Sequence, residues 1–311
     1  MKHSMDKKDL FPIGIGTWGF GGFVEKDTSN DKNDIEAIKY SLSKGMNFIE
    51  LNYWAAEGYA VELIAKAISE SGVNRENLFL HQALYAYRNE TIQDLKNELQ
   101  TVLDILKTNY IDSIEVGVTE INEYGLEKVI DFLNDILKDG QVRYVSLMNS
   151  NLENLQRFKE EFGDKMFCHE LNVNFEIREN EDLKITEFAD NNDIINLIYQ
   201  PLRRNRTAKR NWPLLVELSK KYDKTQNQII LNWLVSKGCL PLVKSSNVEH
   251  IEENLGALDF ELDDSDIRRL NSFRPDGWVT PNIVWDNNSK EEGVFIHQLS
   301  NVFDDMYDMK R

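Results

Sequence analysis

Cysteine is nearly missing from this 311-residue chain, which has only Cys168 and Cys239. They lie far apart in apolar surroundings, in no CxxC or metal-ligand spacing. That predicts buried thiols in a reducing cytoplasm and no metal site. Positive charge is also short: 36 Lys and Arg stand against 53 Asp and Glu, a net charge of −17. Such an excess of acid argues against nucleic acid and against an anionic membrane as partners, since both are polyanions. No apolar run approaches the ~20 residues needed to span a bilayer. The polar opening MKHSMDKKDL lacks a signal-peptide pattern. A soluble cytoplasmic protein is expected.

Hydrophobic residues at 41% and aromatics at 10% suffice for a large core. The length fits one α/β barrel, which takes about 250 residues, or two ordinary domains. Strand-like and helix-like periodicities then alternate along the whole chain. Strands are expected at Ile13–Thr17, Met46–Leu51, 78–84, Asp112–Val118, Gln141–Met148, Met166–Val173, Ile194–Tyr199 and Leu240–Lys244. Helical spacing covers Asn33–Lys44, Tyr59–Ile68, Thr91–Leu106, Leu126–Leu137 and Leu152–Phe162. No Pro/Gly/Ser-rich linker divides the run. Eight βα units in unbroken succession predict a single closed (β/α)8 TIM barrel spanning residues 1–311. Residues 275–311 would be a C-terminal tail over its rim, or would pack at an oligomer interface.

Two segments suggest a ligand. LPLVKSSNVEHIEEN, from Leu240 to Asn254, reads as a short strand, a turn bearing Lys244, and a helix capped by Asn247. Free N–H groups at that helix start, beside the Lys244 charge, suit a phosphate; an ordinary solvated βα junction is the plain alternative. RRNRTAKR, from Arg203 to Arg210, places five basic residues in eight positions of an acidic chain. It is either a solvated basic loop or a flap whose arginines clamp a diphosphate. Near the start, the Gly-rich turn holding Gly16, Thr17 and Trp18 lets backbone come close to a ligand.

These segments resemble the aldo-keto reductase family in order and spacing. IGIGTW is similar to its first strand, NYIDSIEVGV to its fourth, GQVRYVSLMN to its fifth, LNVNFEI to its sixth and LIYQPL to its seventh. TQNQIILNWLVSKGCLPLVKSSNVEHIEEN follows its C-terminal segment almost position by position. The resemblance implies NADP(H) as cofactor. It places Asn149 and Asn172 at the carboxamide and Tyr199 stacked on the nicotinamide. Gly16, Thr17, Trp18, Leu202, Arg203 and Arg204 fall along the dinucleotide. Lys244, Ser245, Asn247, His250, Glu253 and Asn254 fall on the adenosine-phosphate segment. Lys244 favours NADP over NAD; His250 stands where Arg is usual and lacks the guanidinium fork.

The family's catalytic tetrad does not carry over. Glu50 stands at its Asp, Ala55 at its Tyr, Ala83 at its Lys and Gly117 at its His. A methyl group cannot donate a proton or stabilise an alkoxide, so an inactive, regulatory or ligand-binding homologue is one expectation. The small residues would also widen the pocket for a larger small-molecule ligand, and a protein partner or homo-oligomer is compatible with this reading. A reductase with a relocated acid, Tyr53 or Tyr85, is the second. A non-redox acid–base enzyme using Glu50 and His81, with Glu115 on the same inner face, is the third. His169 and Glu170 are expected to be structural or solvated.

Overall fold

The structure is a computed structural model, and it describes residues 5–86 and 89–275. The expected rim-crossing tail from residue 276, and Tyr87 in the third loop, lie outside the described residues. Eight strands run β1 (Gly14–Ile15), β2 (Phe48–Asn52), β3 (Phe79–Ala83), β4 (Ile111–Gly117), β5 (Val142–Met148), β6 (Met166–Asn172), β7 (Ile195–Tyr199) and β8 (Leu240–Val243). All pair in parallel and in sequence order, and β8 returns to β1 through Gly14↔Leu242 and Ile15↔Val243. The result is a closed (β/α)8 barrel.

Thirteen described α-helical segments connect these strands. Those before β5 are α1 (Asp31–Ser43), α2 (Tyr59–Ser71), α3 (Ile92–Leu106), α4 (Val118–Tyr124) and α5 (Leu126–Lys138). Between β5 and β7 lie α6 (Leu152–Phe162), α7 (Glu179–Asp182) and α8 (Ile185–Asn191). After β7 come α9 (Arg206–Lys209), α10 (Pro213–Tyr222), α11 (Gln226–Ser236), α12 (Val248–Leu255) and α13 (Asp264–Ser272). Starts are set by side-chain caps. Thr91 Oγ1 accepts from Asp94 N at 3.2 Å while the Asp94 carboxylate accepts from Thr91 N at 2.9 Å, closing a capping box on α3. Asn247 Oδ1 likewise accepts from Glu249 N at 2.8 Å and starts α12.

Side chains alternate in and out along the strands, except at a bulge in β6 where Phe167 and Cys168 both face inward, and the inward ones stack in layers. The lowest layer is aromatic: Phe79 lies 5.4 Å from Phe48 and 4.3 Å from Phe167, ring centre to ring centre. One step up, the inward residues are Glu50, His81, Glu115 and Cys168, all buried. The top layer holds Asn52, Ala83, Gly117, Met148 and Tyr199. Outward faces pack against the helices in one continuous apolar shell. No helix among the described residues is long and apolar enough to cross a membrane.

The expected strands and helices are present, with shifted edges. β1 is only two residues long because the chain leaves the ladder at Gly16, whose N–H still reaches Val243 O at 2.9 Å. Val118, expected to end β4, opens α4 instead. There the Glu120 carboxylate turns back to accept from Gly117 N at 2.6 Å, which favours helix over further strand.

Candidate active site

A cavity of about 690 Å³ opens at the C-terminal end of the strands. That is where βα loops gather in such barrels, and the volume suits a cofactor-sized ligand. One end is built by β8 and the start of α12. Lys244 reaches it with its ammonium 2.7 Å from Ser246 Oγ and 4.6 Å from the Phe20 ring centre. Burial lowers the Lys244 pKa, partly offset by Asp34. Ser245, His250, Glu253 and Asn254 line the same end. Asn247 does not line it; its side chain is used as the helix cap.

Along the middle run Leu202, Arg203 and Arg204 after β7. The basic stretch is not simply solvated. Glu176, after β6, ion-pairs with Arg203, receives Arg210 at 2.6 Å, and accepts from the Trp212 indole N–H at 2.8 Å. Its buried carboxylate thus anchors the loop. Arg204 lies across the cavity mouth, 5.4 Å from the ring of Phe23 in the loop after β1. Trp18 from that loop stacks on Trp54 at 4.8 Å and 10°. Of the opening turn, Gly16 and Trp18 line the cavity, while Thr17 is buried and donates its N–H to Glu50 Oε2 at 3.3 Å.

At the reaction end Tyr199 donates to Asn149 Oδ1 at 3.0 Å, so the ring and the amide are fixed relative to each other. Asn149 sits at φ +48, an unusual backbone for a residue other than glycine. Asn172 is buried behind them, where its Oδ1 accepts from Asn174 at 3.0 Å; it does not line the cavity. Ala55 and Ala83 are fully buried, and Gly117 lines the floor. A Cβ added at Gly117 would meet Glu120 Oε2 and Met148 O, each at 3.2 Å. Any side chain at position 117 would therefore be tight at its first carbon.

Of the four candidate acid–base residues, Tyr85 and Glu50 line the cavity and Tyr53 and His81 do not. Tyr85 lines the cavity, its hydroxyl 3.5 Å from Asn52 Nδ2 and 3.9 Å from Met148 Sδ. Burial, then the neighbouring glutamates, pushes its pKa well above that of a free phenol. Tyr53 does not line the cavity; its ring lies over Gly58, where an added Cβ would meet it at 2.7 Å. Glu50 lines the cavity from below, and burial raises its pKa against the opposing pull of His81 and the Thr17 N–H. His81, its register partner in the same layer, does not line the cavity and lies 3.2 Å from Glu115.

Glu170 and His169 were expected to be structural or solvated; solvation is ruled out. Both are buried, at 2% and 0% exposure. Glu170 faces inward and lines the cavity floor, and burial raises its pKa well above the usual carboxylate range. His169 faces outward, where Nε2 accepts from Ser150 N at 3.0 Å and burial lowers its pKa to about 3. Trp54, Phe23, Gln200, Asn205 and Asn227 also line the cavity and carry no signal along the chain that would have selected them.

A closed barrel with a cofactor-sized cleft over its C-terminal rim defines a class that comparison narrows. The model of the Aldo/keto reductase family matches residues 12–275, and the chain belongs to that family. A solved thermostable aldo-keto reductase in complex with the inhibitor epalrestat is 29% identical, with a TM-score of 0.77 over 85% of this chain and 95% of that one. An aldo-keto reductase from Klebsiella pneumoniae, solved with NADP and acetate, is 18% identical at TM-score 0.74, covering 88% and 96%. Methylglyoxal reductase DkgA of Escherichia coli is 22% identical over 83% of this chain and 87% of its own.

Proposed function

We propose that this chain binds NADP(H) but has lost the proton-donating half of the family's site, so that it serves as a nucleotide-binding or regulatory homologue and not as an efficient carbonyl reductase. Cofactor fit is supported by residues at three points of one cavity. Lys244, beside the start of α12, offers a cation and free N–H groups to a phosphate. Arg203 and Arg204 stand midway. Tyr199 and Asn149, held together by their hydrogen bond, offer a ring face and an amide. The Klebsiella relative carries NADP. Bound NADPH supplies hydride; the chain would have to supply the proton and stabilise the developing alkoxide.

The observation that carries the proposal is the set of small residues Ala55, Ala83 and Gly117 at the reaction end. The groups that replace the tetrad there, Glu50, Glu170 and Tyr85, include no lysine or histidine. General-acid help is worth about 10²–10⁴-fold, and one oxyanion donor about 10²–10³-fold. Reduction should therefore run at least ~10³-fold below an ordinary turnover of about 10 s⁻¹. The position of Tyr85 favours a second reading, slow reduction with that phenol as donor.

Titrating NADPH while following protein fluorescence tests binding, because Trp18 and Trp54 face the cavity. Saturable quenching is expected; none up to millimolar concentration contradicts the proposal. Incubation with NADPH and a panel of aldehydes separates the readings. Turnover that Tyr85→Phe abolishes selects the second.

A further inference from the structure

The layer beneath the cavity floor brings together donors from three strands. His81 on β3, Glu115 on β4 and Cys168 on β6 place a ring nitrogen, a carboxylate oxygen and a sulfur within 4.8 Å of one another. All three residues are fully buried. Glu170 Oε2 adds a fourth donor 3.7 Å from His81 Nε2. His81 Nδ1, Glu115 Oε1 and Glu170 Oε2 are buried with no hydrogen-bond partner. Leaving one such group unpaired costs about 1–3 kcal/mol, and more when it is charged. Among the described residues no lysine or arginine pairs with Glu50, Glu115 or Glu170. A set of carboxyls, an imidazole and a thiol thus shares a buried layer in which the described residues supply no fixed cation.

We propose that His81, Glu115 and Cys168, with Glu170 as fourth donor, form a binding site for a zinc-type divalent ion inside the barrel. One nitrogen, one sulfur and two carboxylate oxygens match the tetrahedral preference of zinc. The sulfur disfavours magnesium and calcium, which take oxygen ligands. On binding, S–metal and O–metal bonds replace the Cys168 S–H bond and the O–H bond of each protonated carboxyl among Glu115 and Glu170, and those protons pass to solvent. Ser146 Oγ, 3.1 Å from Cys168 Sγ, then turns to donate to the thiolate. The ion supplies the positive charge that the chain lacks with alanine at position 83. His81 and Glu115 precede Ala83 and Gly117 by two residues, about 6.6 Å along the strand. At that depth the ion braces the barrel floor and does not touch a substrate over the cavity. Because its ligands come from separate strands, the site leaves no spacing motif in the sequence.

The test uses the full chain purified without chelator. Mass spectrometry of its metal content should find one zinc per chain. After the metal is stripped, added Zn2+ should raise the melting temperature saturably. Added Co2+ should give the near-ultraviolet thiolate charge-transfer band and the visible bands of a tetrahedral site. Outer-shell changes cost about 10–100-fold in metal affinity, so Cys168→Ser, which removes a direct ligand, should cost at least ~100-fold and erase the charge-transfer band. Cys239→Ser should keep both. The proposal is overturned if wild-type chain shows neither saturable Zn2+ stabilisation nor a cobalt–thiolate band. It is also overturned if the band follows Cys239. The wild-type spectra decide the matter even where a variant does not fold.

Discussion

Replacing Lys244 by methionine probes the phosphate end of the cavity. The two side chains are similar in length, so packing over Phe20 is largely kept while the charge is removed. Among the described residues, no side chain apart from Ser246 Oγ hydrogen-bonds the ammonium. Burial already disfavours its charged form, so the free protein loses little when it goes. The cofactor complex loses a hydrogen bond between two charged groups, worth about 1.5–3 kcal/mol. At about 1.4 kcal/mol per decade this is roughly a 10- to 150-fold weaker NADPH complex. NADH, without the 2′-phosphate, has no such bond to lose, and its affinity should hold within about threefold. Fluorescence titration of wild type and Lys244→Met with both nucleotides gives the comparison. Equal weakening of NADPH and NADH would refute the assignment of Lys244 to the phosphate.

Two further changes test the scaffold around the site. Glu120 is buried with its pKa pushed up to about 7 from an ordinary 4.5, because burial outweighs the Ala86 and Gly117 N–H groups it accepts from. A carboxyl raised on folding holds more protons in the native than in the unfolded chain between those values. Stability should therefore fall by up to about 3 kcal/mol as pH rises from 4.5 to 7. Glu120→Gln should flatten that slope in urea melts; an unchanged slope assigns it elsewhere. Glu176→Ala strands Arg203 and Trp212 without their carboxylate and should cost about 3 kcal/mol in denaturant unfolding. A loss below about 1 kcal/mol would mean that the basic loop is held by other contacts.

The barrel was legible because the strands are short apolar runs and the helices after the first five carry a clear stripe, as in Leu152–Phe162, whose expected and observed limits agree. One end of the cavity was legible because Lys244 and Asn254, which line it, are close in sequence, although Asn247 between them serves as a cap and not as lining. The burial of Glu170 was left open for a physical reason. In a parallel barrel both faces of a strand are buried, so a polar residue on β6 gives no sign of which face it occupies. The partner of Arg203 and Arg210 was hidden as well, since Glu176 lies 27 and 34 residues upstream and meets them only through the fold. His81 and Glu115 could be set on one inner face by alternation, whereas Cys168 joins them only once β6, with its register shift, is paired to β5.

Single-turnover mixing of the chain with NADPH and excess aldehyde, followed by loss of reduced-nicotinamide absorbance, tests most directly whether the acid half of the site is gone. With cofactor binding established in the same preparation, the predicted rate constant is about 10⁻² s⁻¹ or lower, from the loss of proton donation. A rate constant near 10 s⁻¹, on the order of an ordinary enzyme, would contradict the account.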